Sequence, residues 1–202
     1  MKDQLIKRFG EDRVVSMPVA EGEMPILVIN LDVASPVTLI CTNGLSNYKM
    51  PVPEAEIGNE YNELFFCLPS YWEWEDINNP QMNWVFNWIQ RLSKYVVDKK
   101  TWFGHGHTMP CGQDMQSLSS TMLQNHFILI NPILLEDEMA PVIVDGHRVN
   151  FLAIVPIFGD EMDYKQGKGT VKFLRKLIGK GVSEKLDDYR STSLKSKWRL
   201  RR

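Results

Sequence analysis

Two histidines separated by one residue, in Gly104-His105-Gly106-His107, are the residues of this chain that first suggest chemistry. On an extended strand, side chains two residues apart point to the same side, so both imidazoles could bind one metal ion. Cys111 or Asp114 would supply a third ligand, and a metal-bound water would make the chain a metal-dependent hydrolase using His105 and His107. The sequence has neither an HExxH motif nor paired CxxC motifs, which are the usual zinc signatures. We therefore favour hydrogen-bonded loop histidines, with glycines that give the loop backbone freedom.

Nucleophilic catalysis has even less support in the sequence. GxSxG and Cys/His signatures are both absent. Ser46 follows a predicted strand in Gly44-Leu45-Ser46, but Tyr48 stands where a nucleophile elbow has its second glycine. We accordingly predict no catalytic residue, no cofactor and no enzymatic activity.

The segment around Trp72 and Trp74 alternates aromatic and acidic residues and lacks helical spacing. Tryptophans in such a segment are favoured at protein interfaces, because their rings are large, apolar and still able to donate a hydrogen bond. The same rings could instead cover the edge of the core beneath the next helix. The sequence leaves both interpretations open.

Length and composition narrow the class of protein. The chain has 202 residues, of which 44% are hydrophobic and 24% charged, and this suits one folded domain. No apolar run approaches the roughly 20 residues of a membrane helix, and the charged N-terminus does not resemble a secretory signal. Three scattered cysteines indicate reduced thiols and a cytoplasmic location, with Cys41 and Cys67 as small core residues.

Charge is distributed unevenly along the chain. Residues 1–164 carry a net charge of −12, whereas residues 165–202 carry +10. We predict a domain over residues 1–182 and a basic C-terminal tail over residues 183–202. The acidic body argues against a nucleic-acid partner, because it would repel the phosphate backbone, and it favours a basic protein partner.

Hydrophobic periodicity predicts an α+β fold. Short turns between successive strands favour a mixed, largely antiparallel sheet with amphipathic helices packed on it. The clearest helix follows Asn79-Pro80, which are a suitable cap and first helical residue. Residues 101–125 lack a periodic pattern and are predicted to form a long connection. The predicted strands are 26–33, 37–42, 60–68, 126–132, 142–145 and 148–156, and the other helices are 2–10 and 171–178, with a short turn or helix at 158–164.

Several segments, in the same order, resemble the Suppressor of fused domain family. The turn TNGLSNYKM at 42–50 is similar to the family's G-[LM]-S-[DN] turn, and NELFFCLP at 62–69 is similar to its E-L-x-[FL]-x-L-P strand. A tryptophan-containing helix at 82–98, the Gly-His loop and VNFLAIVP at 149–156 follow in order. The GKGTVKFLRKL helix stands where the family has its final helix. The resemblance covers roughly residues 25–178.

The resemblance implies a non-enzymatic domain that binds a protein or peptide partner. Animal relatives restrain a transcription factor by gripping an extended peptide between two domains, and this chain is too short for the second domain. Single-domain relatives occur in bacteria, and some look like immunity proteins that neutralise a toxin. The candidate binding residues, taken from the turn, the aromatic segment and the Gly-His loop, are Ser46, Tyr48, Trp72, Trp74, His105 and His107.

Overall fold

The computed structural model describes residues 1–76, 78–111, 114 and 116–194. The helices are α1 (Lys2–Phe9), α2 (Trp84–Asp98), α3 (Gly159–Lys168) and α4 (Thr170–Ile178). The strands are β1 (Val14–Met17), β2 (Ile26–Leu31), β3 (Val37–Thr42), β4 (Asn62–Pro69), β5 (Thr108–Pro110), β6 (His126–Ile130), β7 (Val142–Val144) and β8 (His147–Ile157).

All eight strands belong to one sheet, with the order β1-β2-β3-β4-β8-β6-β5 and with β7 paired to β8 beside this path. Every pairing is antiparallel except that of β4 with β8, which is parallel and begins at Asn62 opposite Asn150. The predicted α+β class, with a mixed and largely antiparallel sheet, is confirmed. The parallel pair joins the hairpin strands of the N-terminal half to those of the C-terminal half.

Both faces of the sheet are buried, which explains why its strands are almost continuously apolar. On β2, Leu27 and Ile29 point into one core while Ile26 and Val28 point into the other. The first core is covered by α1 and α4 and the second by α2, through side chains that share one face of each helix: Leu5, Phe173 and Leu177, and Val85, Ile89, Leu92 and Val96. Cys41 and Cys67 are buried free thiols of the first core, as predicted.

Helix α2 begins at Trp84, four residues after the predicted start at Pro80, so the predicted cap at Asn79 is wrong. The Asn79 side chain accepts a hydrogen bond from the Gln81 N–H at 3.0 Å. This hydrogen bond closes a local turn that precedes α2. The remaining predicted helices are present, and α3 extends to Lys168, beyond the predicted 158–164.

Two strands were missed because they are short edges of the sheet. β1 has four residues and β5 only three, and each pairs with one neighbour. β5 lies inside the predicted long connection 101–125. Its sequence, Thr108-Met109-Pro110, is too short for a two-residue period to be recognised.

Residues 183–194 of the predicted tail pack against the domain. Leu186 N–H donates to the Cys67 carbonyl at 2.8 Å, and the buried Glu184 carboxylate accepts from the Leu135 N–H at 2.7 Å. The boundary at residue 182 stays a prediction, and the rest of the predicted tail, 195–202, lies outside the described residues. Within the described ranges, none of the helices is long and apolar enough to span a bilayer.

Candidate functional site

The histidine loop, residues 101–107, joins α2 to β5 and carries both predicted histidines. It is fixed to β6 because Gly106 N–H donates to the Leu129 carbonyl at 2.7 Å, and Leu129 N–H donates to the His107 carbonyl at 2.8 Å. Gly106 has a φ of +86°, and a Cβ there would lie 2.5 Å from Cγ2 of Thr170. Glycine is required at this position both for the left-handed backbone and for the close approach to α4.

His105 is an exposed side chain whose ring is held by one main-chain hydrogen bond. The Asn131 N–H donates to its Nδ1 at 3.0 Å. A nitrogen that accepts a hydrogen bond carries no proton, so we assign the neutral tautomer protonated on Nε2. Partial burial lowers the pKa of His105 more than the charge of Glu56 raises it, which is consistent with a neutral ring.

His107 lies in a different environment, against an indole ring. Its ring meets that of Trp102 edge-on, with centroids 4.2 Å apart and planes at 64°. Burial lowers the pKa of His107, and the positive charge of Lys165 lowers it further. His107 therefore offers a neutral, partly apolar surface.

A groove of about 440 Å³ runs beside the histidine loop and β5. The Lys165 ammonium at its side donates to Oγ1 of Thr108 at 3.2 Å, and burial lowers the pKa of Lys165. The lining is mixed aromatic and polar: Tyr95, Thr101, Trp102, Phe103, His105, Gly106, His107, Thr108, Met109, Lys165 and Thr170. Such a lining suits an amphipathic ligand such as a peptide.

The β5 edge, defined as the side of β5 that faces away from β6, borders this groove. β5 is the last strand of the sheet, and no other strand of the described chain pairs with it. On the β6 side, Leu129 N–H donates to the His107 carbonyl and Cys111 N–H donates to the Asn125 carbonyl. Because successive residues of a strand point their N–H and C=O groups to opposite sides, those of Thr108 face outward. An extended segment could add to the sheet there.

Ser46 belongs to a turn organised around the carboxylate of Glu63, which is fully buried. One oxygen accepts from the N–H groups of Gly44 and Ser46, at 3.0 and 3.1 Å, and from the Ser46 hydroxyl at 2.7 Å. The other accepts from the Leu45 N–H at 3.2 Å and from the Thr42 hydroxyl. Burial raises the pKa of Glu63, and the surrounding donors oppose that shift.

Tyr48 connects this turn to the histidine loop. Its hydroxyl donates to the Thr101 carbonyl at 3.3 Å, and its half-buried ring packs against the second core. Ser46 thus lies in the middle of a short 3₁₀ turn, Leu45–Asn47, and Tyr48 follows it. Of the two, only Tyr48 reaches the loop that carries the histidines.

Of the two predicted tryptophans, Trp72 is buried and Trp74 is partly buried. Trp72 is 3% exposed and donates through Nε1 to the Met82 carbonyl at 2.9 Å. Its ring lies edge-on to that of Trp84, and Trp74 packs against the same core. This geometry favours the core-covering interpretation of the aromatic segment over the exposed one.

The metal-site alternative finds no matching cluster. In the part of the chain that the structure describes, no three His, Cys, Asp or Glu side chains converge as ligands would. Nδ1 of His105 is occupied by the Asn131 N–H, and Cys111 is buried with a pKa raised to about 12 by that burial. The arrangement gives the hydrolase hypothesis no support.

Sequence reasoning missed two residues that shape this surface, Glu63 and Lys165. Glu63 interrupts an apolar strand, and a lone carboxylate in a strand buried on both faces needs several donors, so its position was the available signal. Lys165 carried no such signal, because it is one of many lysines in a basic segment.

Comparison with known proteins gives a consistent result. The family model for the Suppressor of fused protein (SUFU) matches residues 22–191. No curated protein matches the chain significantly.

Solved structures share the fold at low sequence identity. The Sufu of a Sufu–Fu complex has a TM-score of 0.65 at 16% identity, over 94% of this chain and 88% of that one. Drosophila Suppressor of Fused gives the same score and identity, but this chain spans only 49% of its length. A SUFU homologue from Neisseria gonorrhoeae FA 1090 has a TM-score of 0.62 at 14% identity, over 96% of this chain and 95% of that one.

Proposed function

The chain belongs to the Suppressor of fused family, a family of protein-interaction domains, and on this premise we propose that it binds a partner protein through the β5 edge and the adjoining groove. The observation that carries the proposal is the outward-facing main chain of Thr108 beside an aromatic-lined groove of about 440 Å³. Main-chain pairing would supply affinity, and the groove would select alternate side chains of the partner. Binding involves no covalent step.

Three features of the surface support a preformed binding site. The loop is fixed to β6 by hydrogen bonds of Gly106 and His107 with Leu129. The His105 ring accepts from the Asn131 N–H, and Lys165 donates to the Thr108 hydroxyl. A rigid surface loses little conformational entropy when a partner binds. His105, His107 and Tyr48 are the predicted residues placed on or next to this surface, while Ser46, Trp72 and Trp74 would support it from the turn and the core.

A partner protein is consistent with the solved relatives, since one of them is a complex of Sufu with Fu. We extend this only to the class of ligand, a protein or peptide.

We further propose that the partner is a basic toxin domain, which the chain neutralises as an immunity protein in the cytoplasm of a bacterium. The net charge of −12 over residues 1–164 supports a basic partner, because complementary charge accelerates association and disfavours acidic competitors. A homologue from Neisseria gonorrhoeae matches this chain over 95% of its own length, so the fold occurs in a bacterial protein.

Cross-linking identifies both the partner and the surface in one experiment. The full chain is used as bait, the captured protein is purified, and its cross-links and its Kd for bait variants are measured. We expect cross-links near Lys165 and weaker binding by His107→Ala, but unchanged binding by His147→Ala, an exposed histidine outside the groove. Cross-links confined to the β1 side of the sheet would overturn the proposed surface.

The toxin hypothesis has its own test. The reading frames next to the gene are expressed with and without the full chain, and cell growth is followed. Growth inhibition by a basic neighbour, relieved by the chain and not by its His107→Ala/Thr108→Pro variant, is the expected result. Neighbours that are all harmless, or rescue by both forms alike, would contradict it.

A further inference from the structure

A second opening in the sheet lies on β8, away from the β5 edge. β6 pairs with β8 only as far as Ile130 opposite Ala153, and β7 pairs with it only as far as Val142 opposite Val149. Residues 150–152 of β8 therefore face no strand on this side. The space between the ends of β6 and β7 is a cleft of about 510 Å³, here called the ladder cleft. This volume falls within the range of about 300–1,000 Å³ that is typical of ligand sites.

The main chain of Phe151 faces the ladder cleft. Asn150 N–H donates to the Tyr61 carbonyl at 2.9 Å, on the β4 side. Successive residues of a strand alternate, so the N–H and C=O of Phe151 point away from β4 and into the cleft. Among the described residues, no loop or turn supplies either group with a main-chain hydrogen bond. Phe151 lines the cleft and is 2% exposed, so these two groups lie at its floor.

Two features keep residues 131–141 from pairing with Phe151. Continuing the β6 register places Pro132 opposite Phe151, and proline has no N–H to donate. Nearer to β7, the Arg8 guanidinium donates to the carbonyls of Glu138 and Ala140, at 2.9 and 2.6 Å. These carbonyls are thereby directed toward α1 and away from β8.

The charge of the cleft is mainly negative. Glu56, Glu136 and Asp137 line it, with Arg148 as the cationic side chain and His105 as a neutral ring. Neither Glu136 nor Asp137 forms an ion pair with any residue that the structure describes. The Arg148 Nε instead donates to Oδ1 of Asn150 at 3.1 Å, so this cation is directed to an amide.

We infer that the ladder cleft binds an extended, basic segment of the partner protein. One residue of that segment pairs with the main chain of Phe151, and a neighbouring lysine or arginine lies against Glu136 and Asp137. The inference rests on the proposed function, since it assumes a protein partner, and it adds a second contact region on the other side of His105. A strand edge with two unpaired groups and a carboxylate rim matches a peptide in both its main-chain and its side-chain chemistry.

The probe for this inference is a blocked pentapeptide of sequence TKVRT, titrated into the full chain by isotope-edited NMR. We expect the Phe151 amide to shift and binding to weaken about tenfold in Glu136→Gln/Asp137→Asn, because two charge contacts are lost. The matched control Glu73→Gln/Glu75→Gln removes the same charge from exposed positions elsewhere and leaves binding unchanged. A peptide with an N-methylated central valine should bind about fivefold more weakly, since one main-chain hydrogen bond is lost.

Each other outcome overturns the inference. Shifts confined to Thr108 and its neighbours, with the Glu136/Asp137 variant unaffected, would place the peptide at the β5 edge and leave the proposed function standing. A TEVET peptide that binds equally well would remove the charge argument. Absence of any binding would reject the ladder cleft as a peptide site, while the cross-linking experiment above would still judge the proposed function.

Discussion

Arg190 donates a hydrogen bond from each of its two terminal nitrogens to a carboxylate oxygen of Glu161, at 2.9 Å each, and both side chains are buried. The same arginine donates to the Pro156 carbonyl at 2.7 Å, and the same carboxylate accepts from the Ser193 N–H at 2.7 Å. This pair therefore fastens the C-terminal segment to the end of β8 and the start of α3.

Removing one partner of this pair should strongly destabilise the fold. Arg190→Ala leaves the buried Glu161 charge without its cation, and breaking a buried pair in this way typically costs about 3–5 kcal/mol. Urea unfolding measures the loss. Lys94→Ala is the matched control, because its ion pair with Asp98 is exposed and should contribute less than about 0.5 kcal/mol. Equal small losses in both variants would contradict the role of the pair.

The Glu161 carboxylate should also make the stability of the fold fall at acidic pH. Burial alone would raise the pKa of Glu161, but the hydrogen bonds and charge of Arg190 outweigh it and hold the pKa below its usual 4.5. A carboxyl with a lowered pKa contributes stability that is present above 4.5 and is lost as the pH falls through its folded value. We expect Glu161→Gln to be less stable than the wild type at neutral pH, with a shallower decline below pH 4.5. Parallel pH profiles for the two proteins would exclude this source of acid sensitivity.

The requirement for glycine at position 106 can be tested by comparison with a glycine that has free space for a Cβ atom. Gly106→Ala should destabilise by at least about 1 kcal/mol, because it forces a side chain into left-handed backbone and against Thr170. Gly167→Ala, inside α3 with ordinary φ and no neighbour within 4 Å, should instead stabilise by up to about 1 kcal/mol. Adding Thr170→Ser should recover only the part of the Gly106→Ala loss that comes from the contact. A neutral Gly106→Ala would show that the loop can rearrange.

His105 should make the attachment of its loop sensitive to pH. Protonation of Nδ1 breaks the hydrogen bond from the Asn131 N–H, and burial lowers the pKa of His105 below 6.5. The stabilisation is complete above 6.5 and is lost as the pH falls through the lower, folded value. Hydrogen exchange at the Asn131 amide should accelerate over this range, relative to its intrinsic rate, in the wild type and be pH-independent in His105→Ala. The same relative acceleration in both proteins would assign the effect to another group.

Loss of the Glu63 carboxylate should lower the stability of the fold even when the size and shape of the side chain are kept. Glu63→Gln replaces one accepting oxygen by an NH2 group that faces N–H and O–H donors, and the unfavourable contact should cost about 1–3 kcal/mol. Glu54→Gln, on an exposed 3₁₀ turn, is the control and should be neutral. Thermal unfolding of both variants measures the difference, and an unchanged Tm for Glu63→Gln would show that the turn does not depend on the carboxylate.

The strands and helices that were recognisable from the sequence are those whose apolar spacing is long enough to repeat. β2, β3, β4 and β8 are nearly continuous apolar runs, and α2 shows a clear 3.6-residue period, so their existence followed from composition. β5 could not be recognised, because its three residues form a strand only by pairing with β6. The start of α2 was misplaced because Asn79 and Pro80 form a turn that precedes the helix, and the same residue types also suit a helix start.

The site was less predictable than the fold. His105 and His107 were recognisable as unusual, yet their separate partners, Asn131 and Trp102, are distant in sequence or outside any motif. The ladder cleft depends on where two strand pairings stop, which is a property of register and not of residue type. Trp72 was ambiguous because an indole suits both a core and an interface, and only packing decides between them.

The β5 edge is tested most directly by the Kd of the purified partner for two variants at one position. Thr108→Pro removes the outward N–H, whereas Thr108→Ala keeps it and removes the γ-methyl and the hydroxyl that binds Lys165. With both variants shown to be folded by urea unfolding, Thr108→Pro should weaken binding at least about tenfold and Thr108→Ala by less than about threefold. Equal affinity of the partner for wild type and Thr108→Pro would contradict binding at the β5 edge.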